Sequence, residues 1–287
     1  MNVENIKTIG IAGAGTMGQG IAQVCASAGY RVVLYDVAET QLASAKNLIL
    51  KSLQVAVEKG KLKADESSQV LSRIQFQPDI NQLKADLIIE AALEKLDIKR
   101  ELFIKLEAIN SESSIITTNT SSIPVTQIAS TLKHPQRFAG LHFFNPAPIM
   151  KLVEIISGVN TDAETVDTLK VFCQKLGKTA VLAKDSPGFI VNRVARHYYV
   201  EALKLLEENV TDIQTIDTLM KASGFKMGPF ELMDLIGVDT NFSVTTSIYN
   251  AFHQDAKFRP SLIQQQKVDA GHHGRKSGKG FYDYTKK

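Results

Sequence analysis

The stretch Thr8-Ile9-Gly10-Ile11-Ala12-Gly13-Ala14-Gly15-Thr16-Met17-Gly18 runs from a short β-branched segment into glycines spaced G-x-G-x-x-G, and a helical pattern follows over residues 17–28. Without side chains at positions 13, 15 and 18, the chain can turn tightly and bring backbone N–H groups to an anion at a helix start. That combination predicts a pyrophosphate site at the edge of a parallel α/β sheet. A second β-branched run over residues 31–35 ends at Asp36, 18 positions past Gly18. A ribose-binding acid is expected about 20 positions on. Gly13, Gly15, Thr16, Met17, Gly18 and Asp36 are therefore the expected cofactor-binding residues. The competing reading is a packing turn, with Asp36 merely capping the next helix. A carboxylate here favours NAD, because it accepts bonds from the 2′-hydroxyl and repels a 2′-phosphate; the neighbouring Arg31 keeps NADP open.

The same alternation of apolar runs and helical patterns extends outward from this stretch. Residues 39–59 and 98–109 read as helices, and residues 87–90, 114–118 and 138–141 as strands. They predict a doubly wound sheet of about six parallel strands. Residues 151–156 follow Pro146 and Pro148 too closely for a crossover helix, so they are expected to add antiparallel. A helix over 163–176, stopped by Gly177, and a strand over 179–183 complete this part. Beyond residues 184–186 the period is helical, over 188–208, 212–222, 229–235 and 240–253. The expected fold is α/β: a Rossmann-like, mostly parallel sheet in residues 1–185, followed by an all-helical C-terminal domain in 186–287. The Gly- and Lys-rich segment from residue 271 on, with His272 and His273, is expected to be a mobile, solvated tail. His134, His197 and His253 are expected to be structural.

Composition narrows the partners. The 287 residues carry 33 Lys+Arg against 30 Asp+Glu, a formal charge of +3, too weak a bias to suggest nucleic acid or an acidic membrane. Cys25 and Cys173 sit in apolar helical patterns without metal-ligand spacing, which predicts neither disulfide nor metal and fits a reducing compartment. No signal-peptide pattern or sustained apolar run is present, so a cytoplasmic protein is expected. Apolar surface on the helical part suggests a homodimer or higher homo-oligomer.

Ligands of open α/β sheets bind beyond the carboxyl ends of the strands. Two polar loops belong there, residues 117–122 and 141–146. His142 in the second has a side chain able to exchange a proton near neutrality, although a lone histidine also reads as a satisfied core residue. Glu154 shares strand parity with Leu152 and Ile156, while Val153 and Ile155 face the other way; with both faces apolar, its carboxylate should be buried and needs a partner. A chain reversing near Pro148 sets position 154 opposite 142, making His142 the natural partner; Lys151 or a backbone amide is the alternative.

Asn119-Thr120-Ser121-Ser122, Gly140-Leu141-His142-Phe143-Phe144-Asn145-Pro146, Lys151-Leu152-Val153-Glu154, Pro187-Gly188-Phe189-Ile190-Val191-Asn192-Arg193, Met227-Gly228-Pro229-Phe230-Glu231-Leu232 and Gly278-Lys279-Gly280-Phe281-Tyr282 occur in that order. Nearly end to end, the chain resembles the L-3-hydroxyacyl-CoA dehydrogenase family, and most of all its stand-alone bacterial 3-hydroxybutyryl-CoA branch. The resemblance implies an NAD-dependent oxidoreductase of acyl-CoA substrates. In it His142 exchanges the proton of the C3 oxygen, Glu154 orients the imidazole, and Ser121 and Asn192 hydrogen-bond around the reacting oxygen. It further implies that Glu94, Lys99, Asn145 and Lys276 line the cofactor, and that Ser52 and Lys59 contact coenzyme A. Taken by themselves, Ser121 reads as a turn residue, Asn192 as a packing amide, and Glu94 and Lys99 as exposed charges at a helix start. Ser52 and Lys59 share a helical face that could equally be solvated. A dehydrogenase of free hydroxy or sugar acids, or a non-enzymatic dinucleotide-binding protein, is the rival reading.

Overall fold

A computed structural model describes residues 3–285. The chain divides between Ser186 and Pro187 into two compact units. The first is built from β1 (Thr8–Ala12), α1 (Thr16–Ser27), β2 (Arg31–Tyr35), α2 (Glu39–Glu58), α3 (Ala64–Ser72), β3 (Ile74–Gln77), β4 (Leu87–Glu90), α4 (Leu96–Ile109), β5 (Ile115–Thr118), α5 (Val125–Ala129), β6 (Phe138–Phe143), β7 (Leu152–Ser157), α6 (Ala163–Lys175) and β8 (Thr179–Lys184). The strands form one sheet in the order β3-β2-β1-β4-β5-β6-β7-β8. β1 to β6 are parallel, β7 adds antiparallel to β6, and β8 runs parallel to β7.

The central strands are buried along their length because helices cover them, which is why they read as unbroken apolar runs rather than as alternating ones. Ile9, Ile11, Leu34, Leu87 and Ile89 are all fully buried in one core, each contributing about 1.5–3 kcal/mol over exposure. Strand order reverses between β1 and β4, which opens a crevice beyond their carboxyl ends. The glycine loop leaves β1 there, and Glu90 ends β4 there. The expected parallel sheet and its antiparallel addition are both present. The third parallel strand, which no sequence run located, is Ile74–Gln77 behind α3; it lies at the sheet edge, is only four residues long and alternates Ile-Gln-Phe-Gln, so its signal is weak.

The second unit contains α7 (Val191–Glu207), α8 (Ile213–Ala222), α9 (Pro229–Ile236), α10 (Val238–Ala251) and α11 (Leu262–Asp269). Tyr199, Leu203, Ile216, Phe230, Met233, Val238 and Phe281 form its core. The first helix begins three residues later than its period suggested, because Gly188 and Phe189 take positive φ and the chain turns before it coils.

The expectation of a mobile tail fails for the residues described, those beyond 285 lying outside them. The buried Asp234 accepts hydrogen bonds from the Phe281 and Tyr282 amides, both at 2.9 Å. Asp217, also buried, accepts from the Phe230 and Glu231 amides at 2.9 Å and from the Tyr282 hydroxyl at 2.8 Å. A side chain at Gly280 would meet Asp234 Oδ1 at 2.0 Å, so only glycine lets the segment lie this close. The Gly-Lys-Gly-Phe-Tyr and Gly-Pro-Phe-Glu motifs are thus two halves of one clasp on two buried carboxylates. His273 joins it through its carbonyl, which accepts from Val238 N at 3.2 Å.

Candidate active site

The glycine loop has the geometry its sequence requires. Gly13 has φ +109°, and a Cβ there would meet the Ala91 carbonyl at 2.6 Å; a Cβ on Gly18 would fall 1.7 Å from the Gly13 carbonyl. Gly15 faces open space, with nothing within 4 Å of the same point. No side chain caps α1, which opens with Thr16, Met17 and Gly18. An uncapped helix N-terminus behind an open glycine is free to receive a phosphate. Asp36 reaches back into this loop: Oδ2 accepts from Ala14 N at 2.9 Å, while Oδ1 accepts from Ala38 N at 3.0 Å at the start of α2. The acid therefore steadies the loop and the following helix together. Beside it lies a pocket of about 250 Å³ lined by Val37, Ile80, Ala92 and Ile98, apolar enough for a flat heterocycle next to an acid for its sugar.

Beyond β4, Lys99 is not the exposed charge that its place at a helix start suggested. It is 1% exposed, with Nζ 2.6 Å from Glu90 Oε1 and 3.1 Å from Glu94 Oε2. Glu90, fully buried, also accepts from Thr118 Oγ1 at 2.6 Å and Ala92 N at 2.7 Å. Glu94 ties in the loop after β5, accepting from Thr120 Oγ1 at 2.5 Å and Ser121 N at 3.0 Å. Burial pushes the Glu94 carboxyl up, but the Lys99 ammonium and the hydrogen bonds from Thr120, Lys99 and Ser121 outweigh it and hold it below its ordinary value. The Ser121 amide is thereby fixed, while its hydroxyl bonds no described residue. Sequence reasoning missed Glu90; an acid closing the apolar run Leu87-Ile88-Ile89 was the signal.

His142 and Glu154 occupy directly opposed positions of β6 and β7. His142 Nδ1 lies 2.8 Å from Glu154 Oε2; the histidine is 6% exposed and the glutamate 0%. Glu154 is buried because β7 is flanked on both sides, with Val181 of β8 on its other edge. Of the partners open to it in the sequence, His142 or else Lys151 or a backbone amide, the register sets His142 opposite it. Phe144 packs on the imidazole at 4.5 Å between centroids. Asn119 Oδ1 accepts from Phe143 N at 2.8 Å, pinning the loop after β5 to the end of β6; the sequence offered no signal for that contact beyond its polar run.

Ser52 and Lys59 lie along α2 and its C-cap and line one groove of about 670 Å³ together with Val55, Ala56, Lys61 and Ile149. Lys178 also lines it; its Nζ donates to the Ala147 and Met150 carbonyls at 2.6 and 2.7 Å and so holds the turn that follows Asn145-Pro146. Asn145 itself shares a smaller pocket with Thr16, Gln19 and Ser52, and Gln19 Oε1 there is buried with no hydrogen-bond partner. An orphaned acceptor, an open glycine and an uncapped helix start fit a bound dinucleotide. Asn192 and Lys276 belong to the helical unit. Asn192 is half-buried in the first turn of α7, and Lys276 pairs with Asp239 at 2.7 Å.

Comparison with known proteins identifies both parts of the chain. Residues 8–186 match the family model described as 3-hydroxyacyl-CoA dehydrogenase, NAD binding domain, and residues 188–284 match 3-hydroxyacyl-CoA dehydrogenase, C-terminal domain. A 3-hydroxyadipyl-CoA dehydrogenase of Escherichia coli is 49% identical over 98% of this chain, which spans 59% of that relative's length. A probable 3-hydroxybutyryl-CoA dehydrogenase of Bacillus subtilis is 41% identical over 98% of this chain and 99% of its own. The crystal structure of (S)-3-hydroxybutyryl-CoA dehydrogenase from Ralstonia eutropha superposes with a TM-score of 0.94 at 39% identity, covering 98% of this chain and all of its own. Carrying both domains in order, the chain belongs to the NAD-dependent 3-hydroxyacyl-CoA dehydrogenase family.

Proposed function

We propose that the protein interconverts L-3-hydroxyacyl-CoA and 3-oxoacyl-CoA, with His142 exchanging the proton of the C3 oxygen. The observation that carries the reading is the buried 2.8 Å pair of His142 with Glu154 at the carboxyl end of β6. An ionised Glu154 accepts from Nδ1–H and leaves the lone pair on Nε2, the tautomer needed to take a hydroxyl proton. When bound, NAD would supply the hydride acceptor for C3 in oxidation and, reduced, the donor in the reverse direction. As the C3 oxygen becomes a carbonyl, its proton passes to His142, and Glu154 stabilises the imidazolium; reduction reverses both transfers. The Ser121 hydroxyl and the Asn192 amide then hydrogen-bond the reacting oxygen.

In the same reading Gly13, Gly15, Thr16, Met17 and Gly18 receive the pyrophosphate, Asp36 the ribose, and Glu94, Lys99, Asn145 and Lys276 line the cofactor. Asp36 disfavours NADP. Ser52 and Lys59 hold coenzyme A in the groove beside α2, where a cation and a hydroxyl can share a phosphate. The acyl group is short: 3-hydroxybutyryl and 3-hydroxyadipyl, the groups in the relatives' names, differ by two carbons at the far end, a methylene and a terminal carboxylate. We read the protein as cytoplasmic and homo-oligomeric, at the simplest a homodimer. No helix among the described residues is long and apolar enough to cross a membrane. The free, buried Cys25 and Cys173 support the compartment, and exposed Val210, Leu219 and Phe225 on the helical unit support the assembly. The test is NADH oxidation with acetoacetyl-CoA against free acetoacetate. Turnover of the thioester alone is expected; equal turnover of both would favour a dehydrogenase of free acids.

A further inference from the structure

Arg196, in α7, is a buried cation without an anion. It is 3% exposed, and its guanidinium stacks on the Tyr199 ring 4.8 Å from the centroid. Nη1 donates to the Asn241 carbonyl at 2.9 Å and the Thr245 hydroxyl at 2.7 Å, and Nε donates to the Asn192 carbonyl at 3.3 Å. All three acceptors are neutral, and no carboxylate among the described residues pairs with it. Lys99, buried to a similar depth in the first unit, pairs with two carboxylates. A buried charge left in this state is costly, so it points to a partner supplied from outside the chain. Burial lowers the guanidinium's pKa to about 10, which leaves it charged at neutral pH.

A second observation lies on the residue whose carbonyl Arg196 binds. Asn241 is 1% exposed; its Oδ1 accepts from Gln264 Nε2 at 3.0 Å, but its Nδ2 has no hydrogen-bond partner. A cation short of an anion and an amide donor short of an acceptor, on residues in contact, call for an oxyanion with two acceptor atoms. The position along the helix sets its distance. Asn192 and Arg196 are one turn apart on the same face of α7, about 6 Å along the axis, and helical side chains lean toward the N-terminus. With Asn192 at the C3 oxygen, a carboxyl carbon three bonds beyond C3 sits about 4 Å away when extended, and its oxygens about 1 Å further.

We propose that Arg196 and Asn241 receive a carboxylate at the far end of the acyl chain, making the protein selective for CoA thioesters of 3-oxo and 3-hydroxy dicarboxylic acids. This rests on the dehydrogenase reading and on its placement of Asn192. The test compares kcat/KM for NADH oxidation with the CoA thioester of the six-carbon 3-oxo dicarboxylic acid and with its terminal methyl ester, using acetoacetyl-CoA as the reference substrate. Wild-type protein should prefer the free acid by about 10–100-fold, the range for a charged hydrogen-bonded partner. In Arg196→Met that ratio should fall to about one. Acetoacetyl-CoA turnover without any acid preference overturns the carboxylate site while leaving the dehydrogenase reading intact. No turnover of any thioester overturns the dehydrogenase reading. Equal loss of acid and ester in Arg196→Met, with the ratio retained, makes Arg196 a clamp between α7 and α10 and sinks the proposal. Should that variant not fold, the wild-type ratio decides alone.

Discussion

Lys99 Nζ stands 2.6 Å from Glu90 Oε1, and both side chains are withdrawn from solvent at the end of β4. Removing one member of a buried pair leaves the other uncompensated. Lys99→Met should therefore lower unfolding free energy by about 3–5 kcal/mol, and Glu90→Leu combined with it should restore most of that loss. Urea titration of the two variants checks both statements; a Lys99→Met protein as stable as wild type would mean the pair contributes nothing.

The third member of that cluster makes the acid limb of stability specific. Burial raises the Glu94 carboxyl, but Lys99, Thr120 and Ser121 together lower it below its ordinary 4.5. A depressed folded-state pKa means that the unfolded chain binds the proton first as pH falls. Its contribution is therefore present above the ordinary value and is lost as pH drops through the folded one. Glu94→Gln should be less stable than wild type at neutral pH, with the gap closing in acid. Denaturant midpoints across that range read the closure, and a gap independent of pH contradicts it.

Asp36 sits where it can both select the ribose and hold the loop, since Oδ2 already accepts from Ala14 N. Asp36→Ser should move the kcat/KM ratio toward NADPH, because the like charge facing a 2′-phosphate is gone. It should also raise KM for NADH as the loop amide loses its acceptor. An unmoved cofactor ratio would remove Asp36 from the ribose.

Lys59 lines the groove beside α2 with Ser52. Lys59→Ala should raise KM for acetoacetyl-CoA more than it lowers kcat, and the loss should shrink at high salt. A truncated thioester without the nucleotide should not notice the change. Equal sensitivity of both substrates would place the coenzyme elsewhere.

What was legible in the sequence followed from periodicity and local geometry. The glycine spacing after β1, the apolar runs of the central strands, and the reversal that sets Glu154 against His142 all follow from short-range rules. What stayed hidden depended on how elements pack against one another. Lys99 looks exposed until its place in α4 sets it against Glu90 at the end of β4. The segment around Gly280 looks flexible until Asp234, nearly fifty positions earlier, offers two lone pairs to its amides. The edge strand Ile74–Gln77 is too short, and too polar on one face, to declare its period.

The most direct test of the account is the turnover of His142→Gln in both directions with chemistry rate-limiting. The variant should bind NADH yet lose roughly 10²–10⁴ in kcat, the usual worth of a general acid or base. Oxidation and reduction should fall together in the variant, because one residue takes the proton in one direction and returns it in the other. Glu154→Gln should impair both directions, since a neutral amide cannot stabilise the imidazolium. A His142→Gln protein with wild-type kcat would show that another group moves the proton.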